Sequence, residues 1–129
     1  MKINTTTIGA LLLAIGVMLG AFGAHALKQV LSVIEIENWK TAVQYQFIHA
    51  LAILITPLLL QHKLKQSRII SLIFMIGIIC FSGSLYVLSC KNYLNISSSI
   101  SAIGMITPLG GLLFIVGWLM LAYFVVKRS

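Results

Sequence analysis

Four stretches of this chain, Ile8–Leu27, Thr41–Leu60, Ile69–Leu88 and Thr107–Val126, contain no lysine, arginine, aspartate or glutamate. Each is about 20 residues long, which at a rise of about 1.5 Å per residue matches the hydrocarbon thickness of a bilayer. A single charge at the centre of such a helix would cost about 2.5–3.5 kcal/mol on the insertion scale, so four uninterrupted runs are a strong constraint. The expected fold is an all-α, integral membrane four-helix bundle.

Composition points the same way. With 60% hydrophobic and 9% charged residues among 129, there is too little polar surface to coat a soluble globule. One four-span domain over residues 1–129 is expected, with the lipid bilayer as its first partner. The net charge of +7 raises nucleic acid, but the cations sit at the ends of apolar runs rather than beside an aromatic binding face, which excludes it. They act as topology signals. Lys2, Lys63, Lys65, Arg68, Lys127 and Arg128 fall on one side, against Lys28, Lys40 and Lys91 on the other. Both termini are therefore expected in the cytoplasm. Glu35 and Glu37, the only carboxylates, lie in the first outer loop. The Ala24-His25-Ala26 sequence after an apolar run imitates a signal-peptide cleavage site, yet the run exceeds the usual 7–15 residues and reads as an uncleaved span.

Small residues suggest how the helices meet. Gly16, Gly20 and Ala24 recur at four-residue spacing, with Ala21 and Gly23 nearby, so one face of the first helix is nearly bare backbone. Packing within the bundle is the expectation, and a homodimer seam the alternative. Gly77 and Gly83 in the third span and Gly110, Gly111 and Gly117 in the fourth are natural counterparts. Thr107-Pro108 reads as a cap followed by a first-turn proline, and Pro57 falls in the last turn of the second span. Trp39, Tyr86, Tyr93 and Tyr123 flank span ends as interface anchors, whereas Trp118 lies mid-helix and needs a partner for its indole nitrogen. The segment Val30–Trp39 is too short for periodicity to choose between helix and strand.

Polar residues inside the spans are the candidate site. Gln44, Tyr45, Gln46 and His49 cluster in the outer half of the second span, His25 lies near the outer end of the first, and Ser82 and Ser84 fall at comparable depth in the third. A polar patch shared by three helices follows. Ionisable groups inside a membrane are functional candidates, because they normally face a bundle interior or a watery cavity. The structural alternative is helix glue, in which each hydrogen bond contributes about 0.6–2 kcal/mol.

Cofactor chemistry finds little support. His25 and His49 could approach one haem iron from opposite sides only at equal depth, and their positions differ by roughly 9 Å along the normal at about 1.5 Å per residue. Zinc lacks an intramembrane carboxylate, and Cys80 and Cys90 lie too far apart along one helix for a disulfide or a shared metal. No metal, no cofactor and no catalytic residue is expected. Nucleophile elbows, phosphate loops, zinc-protease helices and nucleotide fingerprints are all missing from the sequence.

Four segments in order, Gly20–Leu27, Trp39–Ala52, Phe81–Tyr86 and Ile106–Gly111 with Gly117-Trp118, resemble the YgdD-like family of small bacterial membrane proteins, a domain-of-unknown-function family. The resemblance covers nearly the whole chain. It implies a four-span protein of the bacterial inner membrane without an agreed activity, with a mitochondrial inner membrane as the alternative because relatives occur in animals. His25, Tyr45, Gln46, His49, Ser82 and Ser84 match its motif positions. Cys90–Ser101 departs from it as a longer, serine-rich turn.

Two functions of different class are expected. One is a non-enzymatic protein that packs against a membrane protein partner, a second copy or lipid, with the polar patch as glue. The other is an oligomeric transporter or proton-linked permease whose outward cavity that patch lines.

Overall fold

The computed structural model describes residues 4–96 and 98–127. Lys2 and Arg128, which entered the orientation count, and Ser97 of the outer turn lie outside them. The order is α1 (Thr5–Ala24), a 3-10 turn (Leu27–Gln29), α2 (Val33–Leu59), α3 (Leu64–Ile78), a π-helical segment (Ile79–Gly83), α4 (Ser84–Cys90), a 3-10 stretch (Ser98–Met105) and α5 (Ile106–Val126). No strand occurs among the described residues. Because α3, the π segment and α4 form one continuous rod, Leu64–Cys90, the chain has four helical rods long and apolar enough to cross a membrane.

Helix ends follow local chemistry. Asn4 caps α1 by accepting from the Thr7 amide at 2.8 Å. Ser32 and Glu35 form a reciprocal capping box, which settles Val30–Trp39: from Val33 onward it is the first turns of α2. That helix therefore starts eight residues before Thr41, where the uncharged run begins. Glu35 also accepts from the Asn92 side chain at 2.8 Å, tying this end to the turn after α4. At the other end of α2, Pro57 sits in the last turn, and the helix stops at Leu59. The expectation for Thr107 is corrected: α5 begins one residue earlier, Met105 occupies the cap position, and the Thr107 hydroxyl pairs with Ser84 instead.

Association in lipid relies on close packing and polar contacts, since the solvent is as apolar as the side chains. The rod order is asymmetric. α1 packs along α2 and makes at most marginal contact with the other spanning helices, while α2, the α3–α4 rod and α5 enclose the main core. That core holds Ala50, Ile53, Ile70, Phe74, Ile78 and Phe114, and a smaller one at the opposite end joins Leu27, Leu31, Ile36 and Trp39.

The α1–α2 seam differs from the expected stripe. Its buried glycines are Gly9, Gly16 and Gly23, a seven-residue repeat suited to nearly aligned helices, whereas Gly20 stands at the edge beside Val43 and Ala24 is exposed. At Gly23 the close approach is obligatory, since a methyl group there would meet the Trp39 ring at 2.5 Å. On the other side of the bundle, Gly110 lets α5 touch the backbone of Phe81, and Gly117 receives the Phe74 ring. Gly83 and Gly111 have looser surroundings. The glycine surfaces thus serve contacts within the chain.

Candidate functional site

His49 lies at the centre of the polar residues. It is 3% exposed, and its ring stacks on Phe114 with centroids 3.4 Å apart and planes 8° from parallel. Both ring nitrogens are engaged. Nδ1 lies 2.7 Å from the Tyr45 carbonyl, one turn back on α2, and Nε2 lies 3.1 Å from the Trp118 indole nitrogen on α5. An indole N–H can only donate and a carbonyl can only accept. His49 is therefore a neutral imidazole with its proton on Nδ1, and its remaining lone pair is occupied by Trp118. This answers the need for a partner at Trp118, and its physical basis is that an indole N–H at mid-membrane depth has no water to bond.

A second cluster lies around Gln46, also 3% exposed. Its amide nitrogen donates to the Leu12 carbonyl of α1 at 2.8 Å, and its oxygen accepts from the Tyr86 hydroxyl of α4 at 2.8 Å. One side chain thereby bridges three rods. Ser82 donates to the Ala42 carbonyl of α2 at 2.8 Å, and the Ser84 hydroxyl lies 2.9 Å from the Phe81 carbonyl and 2.6 Å from Thr107 on α5. With the Ser84 proton on Phe81, Thr107 is the donor between the two hydroxyls.

The π segment explains how the third rod presents these groups. At about 100° per residue Ser82 and Ser84 face opposite sides of the rod, toward α2 and α5, and Tyr86 returns to reach Gln46; the extra residue of the π segment turns this set by about 100° relative to α3. Such insertions concentrate at functional positions. Hydropathy along the sequence carries no signal for this one.

Other sequence candidates are placed elsewhere. His25 is exposed, with Nδ1 3.0 Å from the carbonyl of Ala21 on its own helix. Gln44 is exposed and lines a groove of about 190 Å³ with Gly20, Gly23, Ala24 and Trp39. The shared patch therefore joins Gln46, His49, Ser82 and Ser84 with Tyr86, Thr107 and Trp118, and it includes the fourth span. Trp39 is not a lipid-facing anchor: it is buried, its indole donates to the Leu19 carbonyl at 2.9 Å, and its ring lies 4.6 Å from that of Tyr86. Tyr93 and Tyr123 are exposed near rod ends, as interface residues require.

Beside the cluster, residues of α2, the π segment and α5 line an open groove of about 680 Å³. Its floor is Phe81, His49 and Phe114; its walls are Tyr45, Ile48, Leu112, Ile115 and Trp118. Most wall residues are exposed, so the groove opens sideways toward lipid. The Tyr45 ring covers Phe81 with centroids 4.5 Å apart, and its hydroxyl has no hydrogen-bond partner among the described residues. Among the described residues no three His, Cys, Asp or Glu side chains group as metal ligands would, and both cysteines are free thiols.

Fold and site together define a multi-pass helical protein of a bacterial membrane, tied internally by hydrogen bonds and aromatic stacking. Residues 19–111 match the model of a family described as protein of unknown function (DUF423), and the chain belongs to that family. It is 40% identical over 88% of its length to a UPF0382 membrane protein of Staphylococcus saprophyticus, SSP2132, covering 89% of that protein. It is 39% identical to the UPF0382 membrane protein YwdK of Bacillus subtilis, over 93% of this chain and 94% of the relative. The UPF0382 inner membrane protein YgdD of Escherichia coli is 36% identical over 79% of this chain and 73% of its own. No solved structure matches.

Proposed function

We propose that this is a non-enzymatic membrane protein that acts by lateral binding, receiving an apolar partner in the groove between α2 and α5. The observation that carries this reading is the saturation of His49: Trp118 holds one nitrogen and the Tyr45 carbonyl the other, so the imidazole has no free lone pair for a proton or a metal. Gln46, Ser82, Ser84 and Thr107 are likewise committed to interhelical bonds. The polar patch holds the rods in register, and the groove beside it offers aromatic and aliphatic surface. Such a surface suits a lipid chain or the helix of another membrane protein.

The test replaces Tyr45 or His49 by cysteine in a chain carrying Cys80→Ala and Cys90→Ala. Protection of both positions from a membrane-impermeant thiol reagent supports a lipid-facing groove. Rapid labelling from outside would instead support a hydrated cavity and the transport alternative. In addition, His49→Leu should lower thermal stability in detergent. Abolished solute flux with an unchanged melting temperature would overturn the binding reading.

A further inference from the structure

The end of the molecule that carries the start of α1, the α2–α3 connection and the end of α5 has a strongly uneven charge. Lys63, Lys65, Arg68 and Lys127 gather there, whereas Glu35 and Glu37, the only carboxylates in the chain, stand at the opposite end near the start of α2. Among the described residues no carboxylate side chain lies at this end to pair with these cations. Lys63 is engaged all the same: its ammonium donates to the Phe124 carbonyl at 2.9 Å and lies 5.8 Å from the centre of the Phe124 ring. Lys127 donates to the Tyr123 hydroxyl at 3.3 Å. Lys65 and Arg68 are exposed and make no such contact among the described residues.

These two side chains border a groove between α1 and α3. One cavity of about 490 Å³ is walled by Pro57, Leu64, Lys65 and Arg68, and an adjoining one of about 360 Å³ by Ile8, Arg68 and Leu72. Thr5, Arg68 and Ile69 line both, so the two adjoin along the rods. At their mouth stand a guanidinium, an ammonium and the half-buried Thr5 of the first helical turn of α1. Further along the rods the lining is aliphatic, from Ile8, Ile69 and Leu72, while Asn4 and Ser67 add polar groups near the charged end. Charge at the mouth and hydrocarbon beyond it match an amphiphile with an anionic head and an acyl tail, and basic pockets between spanning helices favour such head groups.

We propose that the groove between α1 and α3 is a binding site for an anionic phospholipid. Arg68 and Lys65 hold the phosphate, and one acyl chain lies along Ile8, Ile69 and Leu72. The site is separate from the α2–α5 groove and does not depend on its occupant.

The test uses the full-length protein in detergent, with native mass spectrometry as the readout and phosphatidylglycerol and phosphatidylcholine of equal chain length as probes. Phosphatidylglycerol should be retained at least about 5-fold better than phosphatidylcholine, and Lys65→Gln with Arg68→Gln should abolish that preference. Lys127→Gln, at the same end but outside the groove, should leave it intact. Equal retention of both lipids by the native chain, or an equal loss in Lys127→Gln, would overturn the proposal. So would displacement of the lipid by inorganic phosphate at concentrations where phosphatidylcholine is inert, because the tail would then contribute nothing. Both substituted side chains are exposed, so a folded variant is expected, and an unchanged melting temperature verifies it.

Discussion

The indole nitrogen of Trp118 lies 3.1 Å from Nε2 of His49, across 69 positions of sequence, and joins α5 to α2 in the middle of the bundle. The bond fixes the histidine tautomer and leaves neither ring nitrogen unpaired. Trp118→Phe removes the donor while keeping an aromatic ring. Stability in detergent should fall by about 0.6 kcal/mol and by no more than about 1.7, the average and the maximum found for interhelical hydrogen bonds in a membrane protein. A double-mutant cycle with His49→Leu checks it: if the pair acts as a unit, the two losses will be less than additive.

Gly110 and Gly111 are neighbours with opposite expected behaviour. A methyl group on Gly110 would meet the Phe81 amide nitrogen at 2.5 Å, but on Gly111 the nearest atom is 3.9 Å away. Gly110→Ala should force α5 away from the π segment and cost about 1–3 kcal/mol, as overpacking does. Gly111→Ala should be neutral or stabilising. Paired denaturation curves measure the difference, and equal effects would show that the tight contact is not present.

Gln46 ties α1, α2 and α4 together, so its loss should be felt across the bundle. Tyr86→Phe leaves the Gln46 oxygen without its donor and should cost about 1 kcal/mol or more, because a buried acceptor goes unpaired. Gln46→Leu removes both bonds and leaves the Tyr86 hydroxyl without its acceptor. Its cost should therefore exceed that of Tyr86→Phe, and thermal melts of the two variants measure the difference.

Trp39 anchors α1, whose spanning contacts are essentially with α2 alone. Trp39→Ala should loosen α1 locally while α3 and α5 stay packed. Hydrogen exchange resolved along the chain checks this, with faster exchange expected over residues 16–27. Uniform acceleration in every rod would contradict the peripheral placement of α1.

Much of the architecture is legible in one dimension. Charge-free spans as long as the bilayer core is thick, with cations near their ends, are visible because lipid penalises each buried charge independently of what the helix later touches. The small residues of α1 likewise announce a packed face. Their register was harder to read: a four-residue stripe through Gly16, Gly20 and Ala24 is the more obvious pattern, but the buried repeat is Gly9, Gly16 and Gly23. Which stripe is used depends on how two rods lie against each other, and that is a property of the pair.

The same limit applies at the site. Gln46, His49, Ser82 and Ser84 stand out as polar residues in apolar surroundings, and an unbonded donor at mid-membrane demands a partner, so Trp118 was recognisable as half of a pair. Its other half was not. Sequence alone determined the membrane as solvent, the four rods and the need to satisfy their polar groups. The tertiary structure decided who satisfies whom: the third rod is set so that Ser84 meets Thr107 of α5 and Tyr86 meets Gln46 of α2, and packing brings His49 to Trp118. The physical reason is one of range. Hydropathy is a sum over single residues, whereas a hydrogen bond between helices requires two side chains to agree in depth and direction to within about an ångström.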